Sequence, residues 1–369
     1  MPPAGRRIGL LFATSGHSGV DRVIANLLPE FGRSDFEFDL LTIGGHGPAI
    51  PTSLPDNIRV IRLPVRTKKL VVIPLIAYLL RYRPATLLTA NHQLNRAALC
   101  ARALTRLPMR VVIRMGMSLT AQGQAMGDRR RTALHRSMRR WYPRADAVIA
   151  PSQGVGQDLI NIAGVSPRRL HVIRNPIVNN ELYRSAAQEP DHPWFRGEHP
   201  PIILGVGSLE PRKDFATLVR AFARVRQHQD CRLVILGEGG ERKHLQRLVE
   251  EVGVQRDVDL PGFADQPYPY MQRAAVFALA SRREGASAVI VEALACGTPV
   301  VSTDCPSGPG EVLGPMGSRA LVPIGDDEAL AEKLLQTLQS PPLKSELASL
   351  IQEHEVTYSA RRYLAAIDP

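Results

Sequence analysis

The sequence predicts an α/β protein made of two doubly wound domains, each built on a parallel sheet. Three observations predict it. Short apolar runs alternate with helical patterns along the 369 residues, the signature of βαβ units. The pattern pauses over residues 177–199, which hold Pro190, Pro193 and Gly197 and no sustained period, and then restarts. The charge balance changes sign at the same place. Residues 1–180 carry 26 Lys and Arg against 9 Asp and Glu, and residues 181–369 carry 20 against 26.

In the first half, Ile8–Ala13, Phe38–Ile43, Arg59–Leu63, Thr86–Thr89, Val111–Arg114, Ala147–Ala150 and His171–Arg174 have the composition of strands. Val20–Phe31, Leu94–Thr105 and Ala133–Arg140 have the apolar spacing of helices. In the second half, strands are expected at Pro201–Val206, Arg232–Leu236, Val258–Leu260, Val276–Ala280 and Pro299–Ser302. Helices are expected at Phe215–Arg226, Arg242–Val252, Ala288–Ala295, Glu328–Gln339, Leu343–Gln352 and Ser359–Ala366, with a helical turn at Pro269–Arg273. The domain plan is therefore 1–178, a linker over 179–199, and 200–352.

Composition excludes several classes. With 44% hydrophobic and 22% charged residues the chain is globular rather than disordered. Its four cysteines (Cys100, Cys231, Cys296, Cys305) form no CxxC pair, which argues against a zinc site or a disulfide framework and suits a reducing compartment. The longest apolar run, Leu70–Leu80, has 11 residues and contains Pro74, where a bilayer span needs ~20. No secretory signal opens the sequence, because Ser15–Gly19 interrupts the first apolar run. A cytoplasmic protein is expected, either free or peripheral on the inner face of the cytoplasmic membrane.

Open parallel sheets bind ligands where strand ends lead into helices, and the unusual residues fall there. Ile202–Val206 is followed by Gly207-Ser208-Leu209-Glu210-Pro211-Arg212-Lys213-Asp214. A basic pair beside a helix start suits a diphosphate, although loop charges alone are ordinarily solvated. Val276–Ala280 is followed by Ser281-Arg282-Arg283-Glu284-Gly285-Ala286-Ser287 and a helix carrying Glu292. Gly285 lets backbone approach a ligand, and a carboxylate such as Glu292 can accept both hydroxyls of a ribose. Gly237-Glu238-Gly239-Gly240 and Pro261-Gly262-Phe263 end two further strands, as turns or as parts of a base pocket. Gly16-His17-Ser18-Gly19 follows the first strand, but it is not GxGxxG, and no acidic residue closes a second strand, which disfavours a nicotinamide enzyme. Asp257-Val258-Asp259 looks like a metal-binding DxD, yet it lies far in sequence from the Glu pair. Asp326-Asp327 is more simply a helix cap.

The segment Glu284-Gly285-Ala286-Ser287-Ala288-Val289-Ile290-Val291-Glu292-Ala293-Leu294-Ala295-Cys296-Gly297-Thr298-Pro299-Val300-Val301 resembles the Glu-x7-Glu signature of family 4, the group 1 retaining glycosyltransferases. Gly207…Arg212-Lys213, Gly237-Glu238-Gly239, Pro261-Gly262-Phe263, Pro151-Ser152…Val155 and Asn175-Pro176 match in order and spacing, from Gly16 to the final helix. Ser302–Pro309 is similar to a branch that builds bacterial surface polysaccharides, often from UDP-sugars. The resemblance implies the GT-B fold: two Rossmann-like domains with parallel sheets facing across a cleft, and a last helix, 356–369, returning to the first domain. It implies retention of configuration with no metal and no cofactor. On that pattern Glu292 holds the ribose, Glu284 a hydroxyl of the donor sugar, and Lys213 the diphosphate. The segment Gly285-Ala286-Ser287-Ala288 faces the phosphates, Gly207, Ser208, Gly237, Glu238, Gly262 and Phe263 complete the donor side, and Gly16 and Gly19 line the acceptor side. Two departures stand out. Ser208 occupies a position where the family often has Arg, and Arg212 can supply that charge. Many members carry a His near Arg114-Met115-Gly116-Met117, where this sequence has none, which leaves His17 and His92 as acceptor-side candidates.

The first half also carries a basic face. Arg129-Arg130-Arg131, Arg136, Arg139-Arg140 and Arg144 surround Leu134, Met138, Trp141 and Tyr142, and Lys68-Lys69 precede the apolar run. Such a pattern suits an anionic membrane surface. Nucleic acid is disfavoured, because no aromatic platform or reading motif accompanies the charge. The expected activity is transfer of a hexose or N-acetylhexosamine from a UDP-sugar to a lipid-linked or polysaccharide acceptor. The alternatives are a UDP-N-acetylhexosamine epimerase of related fold and a silent partner-binding subunit.

Overall fold

The computed structural model describes residues 7–12, 19–44, 53–117, 119–124, 126–284, 287–306 and 308–368. The chain divides into two compact units, 1–177 with 353–369 and 178–352.

The first unit runs β1 (Arg7–Leu11), α1 (Gly19–Phe31), β2 (Glu37–Ile43), β3 (Ile58–Leu63), α2 (Val72–Tyr82), β4 (Thr86–Ala90), α3 (His92–Thr105), β5 (Arg110–Arg114), α4 (Leu119–Gln124), α5 (Asp128–Trp141), β6 (Ala147–Ala150), α6 (Gln153–Ala163) and β7 (Leu170–Val172). Its strands pair in parallel in the order β3-β2-β1-β4-β5-β6-β7. Both faces are covered, so the central strands are continuous apolar runs such as Val111-Val112-Ile113. One face packs on α2, α3, α5 and α6. The other receives α1 and, from the far end of the chain, Ala360, Tyr363, Ala366 and Ile367.

The second unit runs α7 (Asn180–Ala186), β8 (Ile202–Val206), α8 (Phe215–Arg226), β9 (Arg232–Leu236), α9 (Arg242–Glu251), β10 (Val258–Gly262), α10 (Tyr268–Arg273), β11 (Val276–Leu279), α11 (Ala288–Ala295), β12 (Val300–Thr303), α12 (Pro309–Leu313), β13 (Leu321–Val322), α13 (Asp327–Gln339) and α14 (Lys344–Ser349). Its parallel order is β10-β9-β8-β11-β12-β13. The chain then closes with α15 (Val356–Ile367) in the first unit. Ser359 Oγ donates to the Arg174 carbonyl at 3.0 Å, and the Tyr363 hydroxyl accepts from Arg114 Nε at 2.8 Å.

The linker expectation is corrected. Residues 179–199 belong to the second unit. Asn179 caps α7 through a bond from the Leu182 amide at 2.8 Å. Ser185 Oγ donates to Gln266 at 2.8 Å, and Phe195 meets Tyr270 edge-on, with ring centroids 5.3 Å apart. A seven-residue helix between prolines is too short to show a period. The helices α2, α4, α6 and α12 and the strand β13 have no counterpart among the expected elements, and the expected helix Leu343–Gln352 is α14 followed by a 3-10 turn, Gln352–His354.

In the first unit Asp39, 1% exposed, accepts from Tyr78 Oη at 2.7 Å, Arg59 Nε at 2.5 Å and Arg7 Nη1 at 3.3 Å. Removing Asp39 leaves the buried Tyr78 hydroxyl without its acceptor, while Arg7 and Arg59 still reach water. Asp39→Ala is therefore expected to lower the unfolding free energy by about 2 kcal/mol, as read by urea denaturation. A loss below about 1 kcal/mol, the net worth of a typical hydrogen bond, would show that the network is not a structural anchor.

Candidate active site

In the second sheet, the direction in which the strand order grows reverses between β8 and β11. A crevice at such a switch point is where open α/β sheets bind ligands. The loops after β8 and β11 carry the expected site residues, and the loops after β9 and β10 lie beside them. Backbone bonds stitch the loops together. Gly207 N donates to Leu236 O at 2.9 Å, Leu209 N to Glu238 O at 2.9 Å, and Gly237 N to Gly262 O at 2.7 Å. A Cβ on Gly237 would lie 1.9 Å from the Gly207 carbonyl oxygen, and one on Gly239 would lie 2.3 Å from that of Leu209. Glycine at 237 and 239 is what lets three loops lie flat against each other.

Lys213 lies in a 3-10 turn, Pro211–Lys213, that leads into α8. Its Nζ donates to Glu284 Oε1 at 2.6 Å, and each side chain keeps 9% of its exposure. Glu284 Oε1 also accepts from Ser281 Oγ at 2.6 Å, and the Ser281 carbonyl accepts from Thr303 Oγ1 at 2.6 Å. The bonds from Lys213 and Ser281 both fall on Oε1, and Oε2 has no hydrogen bond among the described residues. Two further links join the β8 and β11 loops: Arg282 N to Arg212 O at 2.8 Å, and Arg282 Nη2 to Asp214 Oδ2 at 2.9 Å. Beneath the pair, burial and the Glu284 charge push the Cys305 thiol up to about 12, so it stays neutral at ordinary pH. Arg212 is exposed. It donates to Glu210 Oε2 at 2.8 Å and to Ser208 Oγ at 3.2 Å, which places its guanidinium beside Ser208.

The helix α11 starts beside this pair. No side chain caps it, and no acidic residue occupies its first turn. An uncapped helix start presents backbone N–H groups to an anion. Ser287 precedes it with φ +44°, and Asp214 precedes α8 with φ +48°. Both are left-handed positions without glycine, the kind of strain that gathers at functional sites. Among the described residues Ser287 Oγ is buried without a hydrogen-bond partner, and a Cβ on Gly308 would come within 2.3 Å of it. Ala288 opens the helix, and Glu292 lies in its second turn, 5% exposed. Burial, then the Glu292 charge, push Cys296 up to about 12.

The structure therefore brings together Gly207, Ser208, Arg212, Lys213, Gly237, Gly262, Glu284, Ser287 and Ala288. Glu292 lies farther along α11. Glu238 sits on the same rim but is engaged by Arg242 at 2.7 Å, which holds its carboxyl below the usual range. Phe263 is 75% exposed. Gly285 and Ala286 lie outside the described residues, as do Gly16 and His17, while Gly19 opens α1. His92 starts α3, bonded to Tyr142 Oη at 3.2 Å. Burial, with Arg96 nearby, pulls it down to about 4, so it is a neutral imidazole at pH 7. Asp257 is bound by Arg226 at 3.0 Å and Asp259 by His192 at 2.9 Å, so neither is a free metal ligand. Asp326 caps α13 by accepting from the Ala329 amide at 2.9 Å. Sequence reasoning did not assign roles to Ser281, Thr303 or Asp214. A hydroxyl at each end of adjacent strands β11 and β12 was the signal available.

Comparison with known proteins fits this geometry. A family model described as glycosyl transferases group 1 matches residues 189–354, and a glycosyl transferase 4-like domain matches residues 18–176. The chain belongs to the group 1 glycosyltransferases, and its two parallel-sheet α/β units are those of the GT-B fold. It is 34% identical over 203 residues to the N-acetylgalactosamine-N,N'-diacetylbacillosaminyl-diphospho-undecaprenol 4-alpha-N-acetylgalactosaminyltransferase of Campylobacter jejuni, a match covering 55% of this chain and 53% of that protein. The chain thus spans about half the length of that relative. It is 22% identical to the amylovoran biosynthesis glycosyltransferase AmsD of Erwinia amylovora, over 95% of this chain and 94% of that one. Among solved structures, the apo lipopolysaccharide outer core galactosyltransferase WaaB superposes with a TM-score of 0.75 at 19% identity, over 98% of this chain and 99% of that one. Anabaena HepE in complex with UDP superposes at 0.73 and 17%, over 97% and 98%.

Proposed function

We propose that the protein transfers a hexose or N-acetylhexosamine from a UDP-sugar to a lipid-linked or polysaccharide acceptor of surface-glycan synthesis, with retention and without a metal or other cofactor. The observation that carries this reading is the Lys213–Glu284 pair beside the uncapped start of α11 at the switch point. Lys213 and the α11 amides face the leaving diphosphate, with Arg212 behind them. Charge grows on the phosphate oxygens as the glycosidic bond breaks, and fixed cations and amides act there. Glu284 accepts a donor-sugar hydroxyl through Oε2, and Glu292 accepts the ribose hydroxyls. Gly207, Ser208, Gly237 and Gly262 form the wall, Phe263 and Glu238 the rim, and the loop from Gly16 to Gly19 serves the acceptor. No second carboxylate is required as a nucleophile, unlike in retaining hydrolases. The Campylobacter relative, whose acceptor is an N-acetylgalactosamine-N,N'-diacetylbacillosaminyl-diphospho-undecaprenol, and HepE, solved with UDP-glucose, support the acceptor and donor classes. The protein acts at the cytoplasmic face, with the basic first unit on an anionic membrane. Among the described residues no helix is long and apolar enough to cross one.

Thermal unfolding with a panel of nucleotide-sugars tests the donor. A ligand that binds only the native state adds about 2.7 kcal/mol at a hundred times its Kd, so a UDP-sugar should stand out from GDP- and ADP-sugars. In the same assay Glu292→Ala is expected to weaken UDP binding by ~1.5–3 kcal/mol, the worth of a hydrogen bond to a charged group. Unchanged UDP affinity in a folded Glu292→Ala protein removes that residue from the site.

A further inference from the structure

The first unit contains a cavity of about 540 Å³ whose lining includes Lys68, Lys69, Arg96, Arg136, Arg140 and Trp141, and no Asp or Glu. Its walls are the turn before α2, one face of α3 and one face of α5. None of these five cations has an ion pair among the described residues. Other basic side chains of α5 are engaged: Arg131 pairs with Asp128 at 2.7 Å, and Arg139 Nε donates to the Ile162 carbonyl at 2.9 Å. Five like charges around one cavity repel each other, and an anion placed among them relieves that repulsion. Beside Lys68 and Lys69, Leu70 and Ile73 are 65% and 79% exposed. Aliphatic side chains left in water next to a basic pocket match the two layers of a membrane surface, phosphate above acyl chain.

We propose that this cavity binds the phosphate headgroup of an anionic membrane lipid, with Leu70 and Ile73 entering the acyl layer. The proposal deepens the membrane-facing part of the proposed function, assigning it to one pocket instead of a diffuse charge, and its test does not depend on glycosyl transfer.

The test is flotation of the full chain with vesicles of phosphatidylcholine, alone and with phosphatidylglycerol. Binding only to the anionic vesicles is expected. Arg136→Ala/Arg140→Ala should weaken it roughly thirtyfold, since each basic residue at the surface contributes about 1 kcal/mol. Arg129→Ala/Arg130→Ala removes the same charge from the same helix outside the pocket and should leave most of the binding intact. Leu70→Ser/Ile73→Ser should weaken binding without changing charge, and unchanged thermal unfolding of each variant shows that it folds. Equal losses in the two arginine pairs overturn the pocket while leaving membrane association standing. No effect of Leu70→Ser/Ile73→Ser overturns the entry of these side chains into the acyl layer. A wild-type chain that ignores anionic vesicles sinks both the pocket and the membrane association.

Discussion

Lys213→Ala is expected to lower kcat about 10²–10³-fold while the protein stays folded. The nucleoside diphosphate becomes more negative at its leaving oxygen as the glycosidic bond breaks. A fixed cation there binds the transition state more tightly than the ground state, so its loss falls on kcat and kcat/KM together. Lys213 is suited to this because it is buried, with little water to screen it, and among the described residues its charged partner is Glu284 at 2.6 Å. On the proposed function, donor binding would be an exchange in which the ammonium turns from the carboxylate to a phosphate, with Ser281 still bonded to Glu284 Oε1. Lys213→Arg should recover part of the rate, because it restores the charge with a different shape. Arg212→Ala is expected to cost less. Its guanidinium is exposed and already bonded to Glu210, which weakens its field, although a second bond holds it at Ser208. Steady-state kinetics on the three variants decides the matter. A Lys213→Ala enzyme within tenfold of wild-type kcat would remove the lysine from the chemistry. A wild type with neither transfer nor donor hydrolysis would favour a silent subunit.

The site was legible where chemistry is written in local order. A strand, a loop and a helix start appear as an apolar run, a glycine or basic cluster, and a new period. The loops after β8 and β11 were therefore visible, with Lys213, Glu284 and Glu292 named from residue types and from the Glu-x7-Glu spacing. What local order cannot show is pairing across 71 residues. That Lys213 neutralises Glu284 and that Arg282 ties Arg212 to the second loop emerge only when β8 is laid beside β11. The same limit hid α7. Its seven residues are stabilised by Asn179 capping and by packing of Leu182 and Ala186, and composition alone reports the prolines around it. The basic run on α5 shows the limit from the other side. In sequence all its arginines look alike, whereas in the fold Arg131 and Arg139 are engaged and Arg136 and Arg140 face a cavity.

Gly237→Ala is expected to destabilise the second unit by about 3 kcal/mol and to weaken donor binding as well. Two costs add. The residue has φ +151°, a conformation that side chains rarely adopt, and forcing such a position costs of order 1–3 kcal/mol. The added Cβ would also lie 1.9 Å from the Gly207 carbonyl oxygen and 2.9 Å from its carbon. Backbone cannot swing aside as a side-chain tip can, and overpacking of this kind costs typically 1–3 kcal/mol. Relief must come from separating the β8 and β9 loops. That separation would break the bonds from Gly207 N to Leu236 O and from Leu209 N to Glu238 O, and Lys213 follows the same loop. Gly240→Ala is the internal control: three residues away, its Cβ would meet nothing within 4 Å, so it should change stability by less than about 0.5 kcal/mol. Urea denaturation and UDP titration of both variants separate the outcomes. If Gly237→Ala behaves like Gly240→Ala in both measurements, the loops are not held by backbone contact, and the glycines after β9 serve some other purpose.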